Sequence, residues 1–303
     1  MNGYKKYIKS SRVRKAILNV LCFIPDTSML KLQYYIKLKR KLNFKKPERF
    51  TEKLQWYKLN YHNPVLHECV DKYRVRQYVE NKGLKDILVP LITKYEDVKS
   101  VDWNELPNQF VMKTTNGGGG LNVLVCRNKN KISWDSVKNK FLSSDKIFRK
   151  RTGGREWAYY GLKRHIIVEK LLINDKHANA GINDYKIFCY DGNPKYIVMD
   201  IDRYTDHKRN FYDAEWNNLY ISSDCPSSNK AISKPKNFDM MLNIARKLSE
   251  DFPFVRVDLY NLEGKIYFGE LTFYPWSGYV NFTPDSFDFE LGKDFILPKT
   301  ISN

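Results

Sequence analysis

Apolar positions recur at helical spacing through about residue 100 and at a period of two after it. Thr51-Glu52-Lys53-Leu54 predicts the start of a helix with Thr51 at the N-cap, continued by Leu54, Tyr57 and Lys58. Val70, Tyr73, Val75, Tyr78 and Val79 predict a second helix, ended by Gly83. Residues 87–92 read as a short strand bent at Pro90. Strands are predicted over 109–114, 122–126 and 165–172, with a polar helical stretch over 133–160. Residues 185–190 and 195–201 form a hairpin around Asp191-Gly192, a strong turn signal. Residues 202–236 read as a long polar loop, of the kind that is usually functional or mobile. Phe238, Met241, Leu242, Ala245 and Leu248 predict a helix, and 255–260 with 265–273 a last hairpin. The expected fold class is α+β: a mainly helical segment over 1–100, then a strand-rich region.

Composition adds a strong charge. Lys and Arg number 52 against 34 Asp and Glu, a net charge of +18, while 42% hydrophobic content marks a globular chain. A balance this basic favours anionic partners. Much of the excess lies in Lys5, Lys6, Lys9, Arg12, Arg14 and Lys15, and again in Lys37, Lys39, Arg40, Lys41, Lys45 and Lys46. The five cysteines are scattered with no C-x-x-C pair, so a disulfide framework is not expected and a reducing, cytoplasmic setting is. The histidines show no metal spacing. The apolar stretch 16–24 is too short to span a bilayer and no A-x-A-like cleavage site follows it. It reads as a basic amphipathic helix, either packed on the body or in contact with the inner face of a membrane.

Two stretches carry chemistry. In the first, Phe110-Val111-Met112-Lys113-Thr114 leads into Gly117, Gly118, Gly119 and Gly120, and a strand follows. Consecutive glycines let backbone N–H groups approach a polyanion. A strand after them excludes a P-loop or a Rossmann turn, both of which need a helix N-terminus. The pattern is a flap over phosphates, with Lys113 within reach of them. In the second, Arg256-Val257-Asp258 and Glu270-Leu271-Thr272 lie on the two arms of the last hairpin. A three-residue turn 262–264 would pair Asn261 with Lys265, Asp258 with Phe268 and Arg256 with Glu270, placing all four polar groups on one face. Converging carboxylates call for a cation, and Mg²⁺ takes one or two carboxylates plus substrate phosphates. The plain alternative is an Arg256–Glu270 cross-strand ion pair.

Together with Val168-Glu169-Lys170-Leu171 closing a strand, these features resemble the ATP-grasp superfamily. More narrowly they are similar to the TupA-like ATP-grasp family, found with genes for bacterial surface polysaccharides. The narrower resemblance rests on Asp184-Tyr185-Lys186-Ile187-Phe188, Asp202-Arg203, Arg209-Asn210-Phe211-Tyr212-Asp213 and Gly269-Glu270-Leu271-Thr272-Phe273-Tyr274-Pro275, and covers about residues 50–298. It implies two α+β subdomains clasping ATP, a flap and hinge over 101–175 and a metal and catalytic part over 176–298. It implies that Lys113 and Gly117, Gly118, Gly119 and Gly120 hold ATP phosphates, and that Glu169, Lys170 and Leu171 form the hinge beside adenine. It implies that Lys186 contacts phosphate and that Asp258, Glu270 and Thr272 bind Mg²⁺. Arg256 would steady the reacting acyl group, and Arg203, His207 and Arg209 would bind substrate or cap the site. Thr272 stands where many relatives carry Asn. The activity implied is an ATP- and Mg²⁺-dependent ligase that joins a carboxylate, in this family a uronic acid of a glycan or sugar nucleotide, to an amine or amino acid through an acyl phosphate.

The first rival reading is a glycosyltransferase of the same biosynthesis, with Asp200 and Asp202 as a metal-binding Asp-x-Asp after an apolar strand. A small-molecule kinase is disfavoured because Lys113 precedes the glycine loop. A basic nucleic-acid-binding module is disfavoured because the aromatics suit core positions equally well.

Overall fold

A computed structural model describes residues 21–117, 122–145, 153–173, 182–201, 207–228 and 232–299. The basic residues 5–15, most of the apolar stretch 16–24, Gly118, Gly119 and Gly120, Asp202 and Arg203 lie outside the described residues.

Two antiparallel sheets organise the chain. The first holds β1 (Leu91–Tyr95), β2 (Phe110–Thr114), β3 (Val123–Cys126) and β4 (Ile166–Glu169) in the order β1-β4-β2-β3. Phe110, Met112, Ile166 and Val168 point to one side and bury against Val137 and Phe141 of a helix over Trp134–Asp145. Alternation therefore sends Val111, Lys113, Ile167 and Glu169 to the opposite face, where Lys113 pairs with Ile167 and Val111 with Glu169.

The second sheet holds β5 (Asp184–Tyr190), β6 (Asn193–Ile201), β7 (Lys208–Asp213), β8 (Phe254–Leu262) and β9 (Lys265–Thr272) in the order β7-β6-β5-β8-β9. The β5–β6 turn is Asp191-Gly192, both at positive φ, as the sequence predicts. One face packs on the helix Phe238–Ser249 through Met241, Ala245 and Leu248. The other face is apolar at one end and polar at the other. At its apolar end Phe188, Tyr190 and Phe254 meet Phe50 from the helix α2 (Phe50–Asn60), with ring centroids 5.1–6.5 Å apart. Burial of these rings fixes α2 against the apolar end of this face.

Several expectations are corrected. Residues 202–236 are not all loop: 208–213 form β7, in register with β6 from Tyr196–Asp213 to Ile201–Lys208. Its polar text hides a strand covered on both sides, with Phe211 and Tyr212 both buried. The helix expected around Val70–Val79 splits into Val65–Cys69 and Val75–Asn81. Asp71 breaks it, because its carboxylate accepts the N–H groups of Tyr73 and Arg74. The strand expected over 87–92 begins only at Leu91, with a 3₁₀ turn over Lys85–Ile87 before it. The polar helix is described over Trp134–Asp145, and residues 153–160, expected to belong to it, instead hold a turn and a 3₁₀ turn over Trp157–Tyr159. Thr51 does not cap α2. It sits inside the first turn, and its N–H and hydroxyl both donate to the buried Asp288. Glu52 instead reaches back to accept from the N–H groups of Glu48 and Arg49. The five cysteines form no disulfide with one another.

Candidate active site

The polar stripe is built by strand register. Arg209 pairs with Asp200, Asp200 with Asp184, Lys186 with Asp258, Asp258 with Glu270, and Arg256 with Thr272. Partners directly across a ladder share a face, so charged groups from all five strands line one side of the sheet.

The β8–β9 register differs from the expected one. The turn has two residues, Glu263 and Gly264, both at positive φ, and Leu262 pairs with Lys265. Continued unbroken, that register would put Glu270 opposite Val257 and turn its carboxylate to the helix-packed face. A bulge at Gly269 adds one residue to β9 and restores it, so Asp258 faces Glu270 and Arg256 faces Thr272. The four groups converge as expected, by a different pairing.

Within the cluster Arg256 grips Asp258 with two hydrogen bonds, Nε to Oδ1 at 2.6 Å and Nη2 to Oδ2 at 2.7 Å. Its Nη2 also donates to the Thr272 hydroxyl at 3.1 Å and lies 3.5 Å from Glu270. The Thr272 hydroxyl in turn donates to Glu270 at 3.1 Å. Lys186 bonds Asp184 and lies 3.3 Å from Asp200 and 3.9 Å from Asp258. Burial raises the Asp258 carboxyl above its ordinary range against the pull of Arg256 and Lys186. Burial acts the same way on Glu270, but Lys72, Arg256 and Lys186 outweigh it and bring that carboxyl down to about 2.

Next along the stripe, Asp200 accepts from Arg209 Nε at 2.7 Å and lies 3.0 Å from His207 Nε2. Burial opposes its ionisation, yet Lys186 and Arg209 hold it well below the usual carboxylate range. Arg209 also bonds Asp224, and its guanidinium lies 5.5 Å from the centre of the Trp276 ring. Asp200 is thus engaged by Lys186, His207 and Arg209, much as Asp258 is by Arg256 and Lys186, and Asp202, the other half of the Asp-x-Asp, lies outside the described residues.

On the first sheet Lys113 Nζ lies 2.6 Å from Glu169, and Arg76 lies 3.5 Å from its other oxygen. The Glu169 carboxylate is thus taken up by cations. Lys170 presents an exposed side chain, its N–H bonded to the Pro90 carbonyl, and Leu171 is buried. Of the glycine loop only Gly117 is described.

Sequence reasoning missed Lys72. Its N–H donates to the Thr115 carbonyl and its Nζ to the Gly117 carbonyl, both at 2.7 Å, and Nζ lies 3.5 Å from Glu270. One lysine thus touches the glycine loop of the first sheet and a carboxylate of the second. Arg76, four residues on, was missed as well. The available signal was Asp71-Lys72 at a helix start, where Asp71 turns the backbone and aims Lys72 inward.

Two facing carboxylates and a hydroxyl suit a cation that brings its own oxygen ligands. Among the described residues no three His, Cys, Asp or Glu side chains gather into a self-sufficient cage. That is the donor set expected where Mg²⁺ arrives with nucleotide phosphates.

The TupA-like ATPgrasp family model matches residues 52–296. Solved structures similar to the chain include the D-alanine–D-alanine ligase from Helicobacter pylori, with 16% identity over 77% of this chain and 60% of that chain, TM-score 0.43. They also include the D-alanine–D-alanine ligase from Bacillus anthracis, with 15% identity over 68% of this chain and 57% of that chain, TM-score 0.39. An L-amino acid ligase from Bacillus licheniformis is 15% identical over 70% of this chain and 44% of that one, TM-score 0.41. The chain therefore spans less than two thirds of the length of each of these three. No curated protein matches it.

Proposed function

Because the chain belongs to the TupA-like ATP-grasp family, we propose that it is an ATP- and Mg²⁺-dependent ligase that activates a carboxylate as an acyl phosphate and joins it to an amine. The observation that carries this reading is the face-to-face pair Asp258–Glu270, with Thr272 and Arg256 beside it and Lys186 and Lys72 around it.

In this reading Lys113, Lys72 and Lys186 bind the phosphates of ATP, and the loop from Gly117 through Gly118, Gly119 and Gly120 covers them. Glu169, Lys170 and Leu171 stand beside the base. Asp258, Glu270 and Thr272 hold Mg²⁺, whose part is to neutralise phosphate charge. The substrate carboxylate attacks the γ-phosphorus and ADP leaves; the chain supplies position and electrostatics rather than a nucleophile. Arg256 orients the acyl phosphate and offsets charge on the tetrahedral intermediate. When the amine displaces phosphate, His207 on Asp200 takes the amine's proton. Arg209 fixes Asp200 and the Trp276 ring at the edge of the site.

The finer reading is an amide between an amino acid or amine and a uronic acid in surface polysaccharide biosynthesis. It rests on the resemblance to the family and on a net charge of +18, which suits an acidic glycan. The test is calorimetric binding of ADP with and without Mg²⁺ to the parent chain and to Glu270→Gln. The reading expects Mg²⁺-dependent binding that weakens about tenfold or more in the variant. Absence of nucleotide binding in the parent would overturn it.

A further inference from the structure

The helix α1 (Asp26–Leu38) turns its apolar residues both ways. On its inner face Leu30, Tyr34 and Leu38 pack with Leu42 and Tyr279. That side is pinned by the Tyr279 hydroxyl, which donates to Gln33 at 2.8 Å, and by Lys37 over the Tyr279 ring. On the outer face Leu32, Tyr35 and Ile36 are 45%, 56% and 38% exposed, and Phe23 just before the helix is 75% exposed. Positions 32, 35 and 36 stand three and four apart, so they form one stripe. A solvated helix face would carry polar residues there.

The charge around this stripe has one sign. From Leu21 to Lys46 the chain has seven cations, Lys31, Lys37, Lys39, Arg40, Lys41, Lys45 and Lys46, and one acid, Asp26. Asp26 lies toward Arg155 at 3.5 Å, and Arg40 is taken by Asp285. Lys31 and Lys39 flank the apolar stripe and are exposed. Among the described residues no ion pair engages Lys31, Lys39, Lys41 or Lys45 within 4.0 Å.

We propose that the outer face of α1, with Phe23, is a docking surface for an anionic lipid bilayer. The stripe lies on a convex helix rather than in a groove, which suits insertion into a fluid headgroup layer. Flanking lysines can lay their stems along apolar surface and put their ammonium groups at phosphate level. A second copy of this chain is a poor occupant, because two such cationic faces repel. No helix among the described residues is long and apolar enough to cross a membrane, so the contact is peripheral. Tyr279 follows closely on Thr272, so the docking helix is bolted to the segment that leaves the candidate active site. This inference stands on the surface alone and does not need the ligase reading.

The full chain is sedimented with phosphatidylcholine vesicles and with vesicles containing about 30% phosphatidylglycerol, and the emission of Tyr35→Trp minus that of the parent, which carries six tryptophans of its own, reports on the face itself. The residues 5–15 carry six further cations, so sedimentation alone does not locate the contact. Expected are binding to anionic vesicles only, a blue shift of the introduced indole's emission with them, and about tenfold or greater loss of binding in Leu32→Ser/Tyr35→Ser/Ile36→Ser. Those three side chains are exposed, so the variant should melt like the parent. The proposal fails if the parent does not sediment with anionic vesicles or if the triple variant binds as the parent does. It fails equally if the emission shifts as far with a short oligonucleotide as with lipid, which would assign the face to nucleic acid.

Discussion

A side chain at Gly269 would put its Cβ 2.9 Å from the carbonyl oxygen of Asp258, closer than packed carbon and oxygen tolerate. The contact comes from the bulge that sets the β8–β9 register. The residue that occupies the bulge must bring its backbone against the opposite strand, and only glycine does so without displacing it. The next residue, Glu270, then points to the Asp258 face. Gly269 is thus a positioning residue for the candidate metal pair.

Gly269→Ala tests this. Relief requires either a shift of the Asp258 backbone or loss of the bulge, and both move Glu270 away from Asp258. We expect a stability loss of about 1–3 kcal/mol in thermal unfolding. Mg²⁺-dependent ADP binding should fall well beyond what the folded fraction explains. A variant that melts earlier but binds Mg²⁺-ADP as the parent does would show that the bulge serves only the fold.

The same bulge marks where sequence reading ended. Alternation placed Arg256 with Asp258 and Glu270 with Thr272, and the hairpin's existence was plain from Gly264 between two apolar strands. The pairing between the strands was not, because a turn of two residues and a turn of three differ in text by nothing that hydrophobicity records. Asp191-Gly192 was legible because both residues tolerate positive φ. The strand 208–213 was not legible, because its polar residues are satisfied by distant or loop partners rather than by solvent: Arg209 by Asp200 and Asp224, Asn210 by Ser228, and Asp213 by Asn217. Lys72 was missed for a related reason. Its partners, Gly117 and Glu270, are 45 and 198 residues away, and no local spacing announces them.

Lys72→Met offers a second test. The backbone bond from residue 72 to Thr115 remains, while the Nζ link between Gly117 and Glu270 is lost. Lys72 is the largest of the influences that lower the Glu270 carboxyl against burial. A carboxyl held at about 2 is ionised throughout the range from pH 5 to 8, so its state should leave Mg²⁺-ADP binding by the parent unaffected there. In the variant the carboxyl moves up toward its ordinary range. The affinity should then be about tenfold lower at pH 8 and fall further toward pH 5. Equal pH profiles in calorimetry would separate Lys72 from Glu270.

Lys58 gives a prediction about the fold behind the site. It is 1% exposed and donates to the Ser277 carbonyl at 2.8 Å, the Ser277 hydroxyl at 3.0 Å and Gln55 at 3.1 Å. Those bonds hold a left-handed run in which Trp276, Ser277 and Gly278 all have positive φ, directly after the segment that follows Thr272. Burial nevertheless brings the Lys58 ammonium down to about 7, from an ordinary value of 10.5. Between those two pH values the unfolded chain binds more protons than the folded one, so this group makes stability rise with pH. Below pH 7 the cost of burying the charge is present in full. Lys58→Met removes the titration, and its chemical unfolding measured from pH 6 to 10 should lack that rise. The parent should gain on the order of a few kcal/mol relative to the variant across the window. Two parallel curves would mean that the three oxygen acceptors keep Lys58 charged to high pH, and that its role is to clamp the Ser277 turn as a cation.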